Sequence, residues 1–69
     1  MTLEDYRIEC RWSKAEMARQ AGIDASTLNR AKRGIPVSLD TAKKLASAIS
    51  LRLGRSINYQ QFEGLTIIQ

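Results

Sequence analysis

The chain contains no histidine, and cysteine and proline occur once each. Without histidine the commonest general base and metal ligand is missing, so enzymatic chemistry is not expected. A lone cysteine excludes an internal disulfide and any multi-thiolate metal site, and no cofactor or metal is expected. Cys10 falls on one helical face with Leu3 and Tyr6 and reads as a small buried hydrophobe; a redox or intermolecular role is the alternative. No run of about 18 apolar residues is present, so no membrane span is expected. The start, Met1-Thr2-Leu3-Glu4-Asp5, is too acidic for a signal peptide, which points to a cytoplasmic location.

What is present fits a small helical domain. The sequence is 43% hydrophobic, and its 69 residues read as one domain, 1–69. A domain of this size buries only about 60% of its unfolded surface, so a partner subunit or strong helical packing is expected.

Thr2 is placed to cap a first helix over about 3–11, with Glu4 and Asp5 near its positive end. Ser13 then caps a helix over 14–21, and Glu16 stands where a capping box wants an acid. Ala15, Met17, Ala18 and Ala21 supply that helix with an apolar face. Gly22 suits a left-handed helix end, Ile23 plugs inward, and Asp24 caps a third helix over 25–33, closed by Gly34. Ile35-Pro36-Val37 is extended, because a residue before proline is pushed out of the helical region.

Ser38 caps a fourth helix in which Leu39, Ala42, Leu45, Ala46, Ile49 and Leu53 recur at spacings of three and four, up to Gly54. Asn58 begins a last short helix containing Tyr59 and Phe62 and ended by Gly64. Leu65-Thr66-Ile67-Ile68 has β character and predicts a short strand.

The formal net charge is +4, and its placement says more than its size. Arg30, Lys32 and Arg33 lie between Ala25 and Leu39 with no acid among them, whereas Glu4, Asp5 and Glu9 gather on the first helix. Taken alone, the basic segment is a solvated face. On the third helix, however, 25, 26, 29, 30 and 33 share one stripe, opposite Leu28 and Ala31. The outward stripe is therefore Ala25, Ser26, Asn29, Arg30 and Arg33. Arginine can donate twice to guanine, asparagine can pair with adenine, and alanine can touch a thymine methyl. Ser26 and Thr27 add short hydroxyls suited to base edges or phosphates.

Segment 13–34, with Ala18 at a close helix crossing, Gly22 in the turn and Leu28 anchoring the next helix, resembles the helix-turn-helix of the Cro and phage-repressor family. Leu3, Tyr6, Arg7 and Trp12 before it, and Leu39, Leu45, Ala46 and Ile49 after it, extend the likeness. The resemblance implies an all-α, lambda-repressor-like domain of four to five helices, with its helix-turn-helix core at 14–33. It implies base-edge contacts from Ala25, Ser26, Asn29 and Arg30 and a DNA-backbone contact from Lys14. Arg33, near the far end of the helix, is a phosphate candidate, and the free amides starting the second and fourth helices also face phosphates.

Two positions depart from the family pattern. Lys32 stands where members often carry an acid that pairs with the helix-1 arginine, so Arg7 and Lys32 are like charges, expected to extend into water or, alternatively, to send Lys32 toward phosphates. Residues 55–69 depart from the commonest fifth helix. Lys43-Lys44 reads as a solvated face rather than a nucleic-acid contact.

The expected function is sequence-specific binding of double-stranded DNA by a repressor-type homodimer on a palindromic operator, its recognition helices about 34 Å apart. Phe62 and Leu65 are expected in the core, and Ile67-Ile68 at a dimer contact or a frayed end. Ile8, pointing away from the core, covers the tail or a second subunit. The alternative is a protein-interaction module on the same fold, an antiactivator or antitoxin component with a regulatory protein partner.

Overall fold

The computed structural model describes residues 1–68. Its order is α1 (Leu3–Cys10), α2 (Lys14–Ala21), α3 (Ala25–Lys32), α4 (Leu39–Leu53) and a 3-10 helix at Tyr59–Gln61. Helix α4 packs on α1 and α2, and α3 packs on α2. None of the described helices is long and apolar enough to cross a membrane.

Most boundaries follow from local hydrogen bonding. Thr2 and Asp5 form a reciprocal box: the Asp5 amide donates to Thr2 Oγ1 at 3.1 Å and the Thr2 amide to Asp5 Oδ2 at 3.0 Å. Each such cap satisfies an amide that the helix leaves without a partner. Ser13 accepts from the Glu16 amide at 3.1 Å, but the box expected there is only half formed. The Glu16 carboxylate reaches forward to Arg19 and to Gln20 Nε2 (2.8 Å). Ala15 is exposed, contrary to expectation. The buried arc of α2 is Met17, Ala18 and Ala21, and at 100° per residue Ala15 falls roughly 110° from its centre.

Helix α1 stops at Cys10, one residue short of expectation, because Arg11 turns left-handed at φ 61° and its amide bonds back to Ile8 O at 3.0 Å. Helix α3 likewise ends at Lys32: Arg33 is its cap residue, and the Ile35 amide returns to Arg30 O at 3.1 Å around Gly34. Leu39, expected on the buried stripe of α4, is 40% exposed. A helical side chain leans toward the N-terminus, so at the first position it projects past the end of the helix. The buried row begins one turn later, with Ala42, Leu45, Ala46 and Ile49.

Met17, Leu28, Leu45, Ile49 and Cys10 are fully buried at the centre. Burial raises the Cys10 thiol's pKa, in keeping with its reading as a packing residue. Phe62 is in the core as expected, its ring edge-on to Tyr6 at 5.4 Å, while Leu65 is half-buried. Ile57 is also buried, which the sequence did not signal. Ser50 explains it: its hydroxyl donates to Ala46 O at 2.7 Å and accepts from the Ile57 amide at 2.8 Å, folding the chain back onto α4.

Asn58 caps the last helix as expected, but that helix is a single 3-10 turn with Phe62 outside it. The strand expected at Leu65–Ile68 is reduced to one isolated bridge, Val37 to Ile67, and a second bridge joins Thr2 to Glu63. The Val37 amide donates to Thr66 O at 2.9 Å and the Ile68 amide to Val37 O at 2.8 Å, so this stretch is stitched to the loop between α3 and α4.

Candidate nucleic-acid interface

Helix α3 shows two unlike sides. Leu28 and Ala31 are each 1% exposed and seat it on the core, whereas Ala25, Ser26, Asn29, Arg30 and Arg33 are all exposed. Asp24 occupies the N-cap position with extended backbone, yet its side chain makes no cap hydrogen bond. The first-turn amides of α3 thus have no side-chain acceptor there. Among the described residues Arg30 and Arg33 have no acidic partner. Guanidinium and amide donors exposed in a row on one side of a helix can hydrogen-bond to base edges and phosphates.

Two grooves flank this row. One, of about 320 Å³, runs between the start of α2 and the outward side of α3, lined by Lys14, Ala25, Ser26, Leu28, Asn29 and Lys32. It brings Lys14 beside three of the expected base-reading residues, Ala25, Ser26 and Asn29. The other, of about 160 Å³, holds Thr27 and Arg30 together with Ser38, Thr41 and Ile68. Thr27 is half-buried on that side and does not share the outward stripe. Ser38 and Ser13 occupy one amide each at the starts of α4 and α2, those of Thr41 and Glu16. Lys43 and Lys44 are both exposed, and Lys44 pairs with Asp40 at 3.2 Å.

The expectation that Arg7 and Lys32 extend into water is not met. Both converge on Glu4: Arg7 binds Oε1 through Nε at 3.0 Å and through its second terminal nitrogen, and the Lys32 ammonium lies against Oε2. Arg7 also donates to Trp12 O at 2.8 Å. The hydrogen bond from Arg7, then the contact with Lys32, hold the Glu4 carboxyl down at about 2. Glu4 therefore substitutes for the acid that position 32 lacks. Its spacing of three from Arg7 is a helical pair that the sequence displays; the approach of Lys32 is not visible until α3 is packed.

The family model described as helix-turn-helix matches residues 3–55, more than half of the chain. The chain belongs to the Cro and phage-repressor type of helix-turn-helix family. Comparison with curated proteins and with solved structures gave no match. Members of this helix-turn-helix family are DNA-binding regulators rather than enzymes. The matched stretch contains α1 to α4 and stops at Arg55, before the 3-10 helix.

Proposed function

We propose that this helix-turn-helix protein, a single domain over 1–69, is a sequence-specific transcriptional regulator of repressor type. It acts as a cytoplasmic homodimer that inserts α3 into the major groove of a palindromic operator. The observation that carries the reading is the exposure of Ala25, Ser26, Asn29 and Arg30 above a fully buried Leu28. These four residues meet base edges. Lys14 and Arg33 meet phosphates on either side, and Thr27 contacts the backbone beside Arg30.

A single short helix covers only a few base pairs, which is why such proteins pair. Ile67 packs against the core, so the tail residue left for a second copy is Ile68, 59% exposed. Ile68 shares a groove with Arg30, so a second copy seated on it lies next to the outward row of α3. Selection of bound DNA from a random pool tests the reading. The expected product is a symmetric site with half-sites about one helical turn apart. Recovery of no preferred sequence rejects it.

A second reading has its own support. Leu51 is 84% exposed and Ile8 62% exposed, two large apolar side chains that a protein partner would cover. A protein-interaction module, antiactivator or antitoxin, accounts for them. A salt-insensitive protein partner recovered without any duplex binding favours this reading over the first.

A further inference from the structure

Lys32 forms a partition between two grooves. On one side it lines the groove with Lys14, Ser26 and Asn29; on the other it lines a groove of about 280 Å³ with Thr2, Glu4 and Glu63. Its ammonium lies on the second side, against Glu4, and its side chain is only 15% exposed. Glu63 on that side faces the terminal amino group of Met1 at 3.4 Å, which leaves Glu4 as the acid that Lys32 uses.

The two cations that share Glu4 are not held alike. Arg7 has a second anchor in Trp12 O at 2.8 Å. Among the described residues Lys32 has no other partner. A lysine ammonium sits on a flexible four-carbon stem, and a poorly solvated charge stripped of its counter-ion moves to water or to another anion.

We propose that Glu4 withholds Lys32 from the DNA-facing groove, making Lys32 a latent phosphate-binding cation and Glu4 the residue that sets how many phosphates this face engages. The inference rests on the DNA-binding reading above. Glu4 is a positioning residue: it touches no DNA, and it acts by holding Lys32 on the far side of the partition. Loss of its charge therefore has opposite effects on two properties. The corner between α1 and α3 becomes less stable, while binding of a polyanion becomes stronger and more salt-dependent. A purely structural role weakens both.

The test is a salt titration of binding to a labelled mixed-sequence duplex of about 20 base pairs, between about 50 and 200 mM NaCl, with folding followed by circular dichroism. Glu4→Gln is expected to steepen the slope of log K against log salt by about 0.9, an additional loss of about threefold across that range, as one more engaged phosphate requires. Lys32→Gln alone is expected to leave the wild-type slope unchanged. In the double variant Glu4→Gln/Lys32→Gln the slope returns to that of Lys32→Gln.

A slope in Lys32→Gln that is shallower by about 0.9 overturns the proposal, because Lys32 is then already on a phosphate. That arm can overturn the proposal even where Glu4→Gln does not fold. Weaker binding by folded Glu4→Gln, or a gain that survives in the double variant, also overturns it. Absence of wild-type duplex binding at about 50 mM salt removes the DNA-binding reading itself, an outcome distinct from wild-type binding with slopes that disobey this order.

Discussion

Arg30 and Lys32 are two residues apart on the same helix and carry the same charge, but their surroundings differ completely. Arg30 is exposed and has no acidic partner among the described residues, whereas Lys32 is tucked against Glu4 at the corner with α1. Helical rotation separates them: Arg30 falls on the stripe opposite Leu28, and Lys32 turns toward α1. A count of basic residues on a recognition helix therefore overstates the charge that a polyanion meets. The same charge stands open to solvent on one side of the helix and is matched by an acid on the other.

Substitutions and a change of pH test that contrast, beginning with the largest effect. Leu28→Ala is expected to cost about 2–5 kcal/mol of stability in urea denaturation, because it opens a cavity beneath the outward row. Asn29→Ala, next to it but exposed, is expected to stay within about 0.5 kcal/mol of wild type. Similar losses at 28 and 29 erase the distinction between the two sides.

Arg30→Ala is expected to cost about 1–3 kcal/mol of operator binding and to relax preference at one base pair, with little change in the melting curve. Equal losses on operator and random DNA in a gel-shift series remove its base-reading role. Arg33→Gln, near the end of the helix, is expected to weaken all sequences alike and to lower the salt slope by about 0.9. A loss confined to the operator moves Arg33 from phosphate to base.

The smallest effect is in the acid range. Glu4 has its pKa lowered from 4.5 to about 2 by Arg7 and then Lys32. A carboxyl depressed in the folded state contributes stability that is complete above its unfolded value and is lost as pH falls through the folded one. The advantage of wild type over Glu4→Gln should therefore be full above about pH 4.5 and shrink toward pH 2. Asp5, bonded to the Thr2 amide, and Glu16, bonded to Gln20, are depressed too, so the difference between the two curves is the informative quantity. A constant difference across that window takes Glu4 out of the ionised corner.

How much was legible follows from distance along the chain. Thr2, Ser13 and Ser38 bond amides within their own first turns, and Gly22 and Gly54 close helices with left-handed backbone. Such signals are local, and together with the apolar periodicity between them they bound α2 and α4. The end of α1 was missed because Arg11, not a glycine, takes the left-handed position. Leu65–Ile68 makes one bridge instead of a strand because its ladder bonds go to Val37 alone, a pairing that no spacing within 55–68 displays. At the candidate site, the outward row came from helical periodicity. The Glu4 corner did not, since it needs α1 and α3 packed before an acid on one meets a lysine on the other. Spacing alone puts Thr27 off the outward stripe, but the groove that it shares with Ser38 and Thr41 was hidden for the same reason.

The most direct test is an amide chemical-shift titration of the labelled protein with its selected duplex. The expected perturbations fall on Lys14, Ala25, Ser26, Asn29, Arg30 and Arg33 and leave Ile8 and Leu51 unmoved. Perturbations that cluster at Ile8 and Leu51 and spare α3 contradict the assignment of its exposed side to DNA.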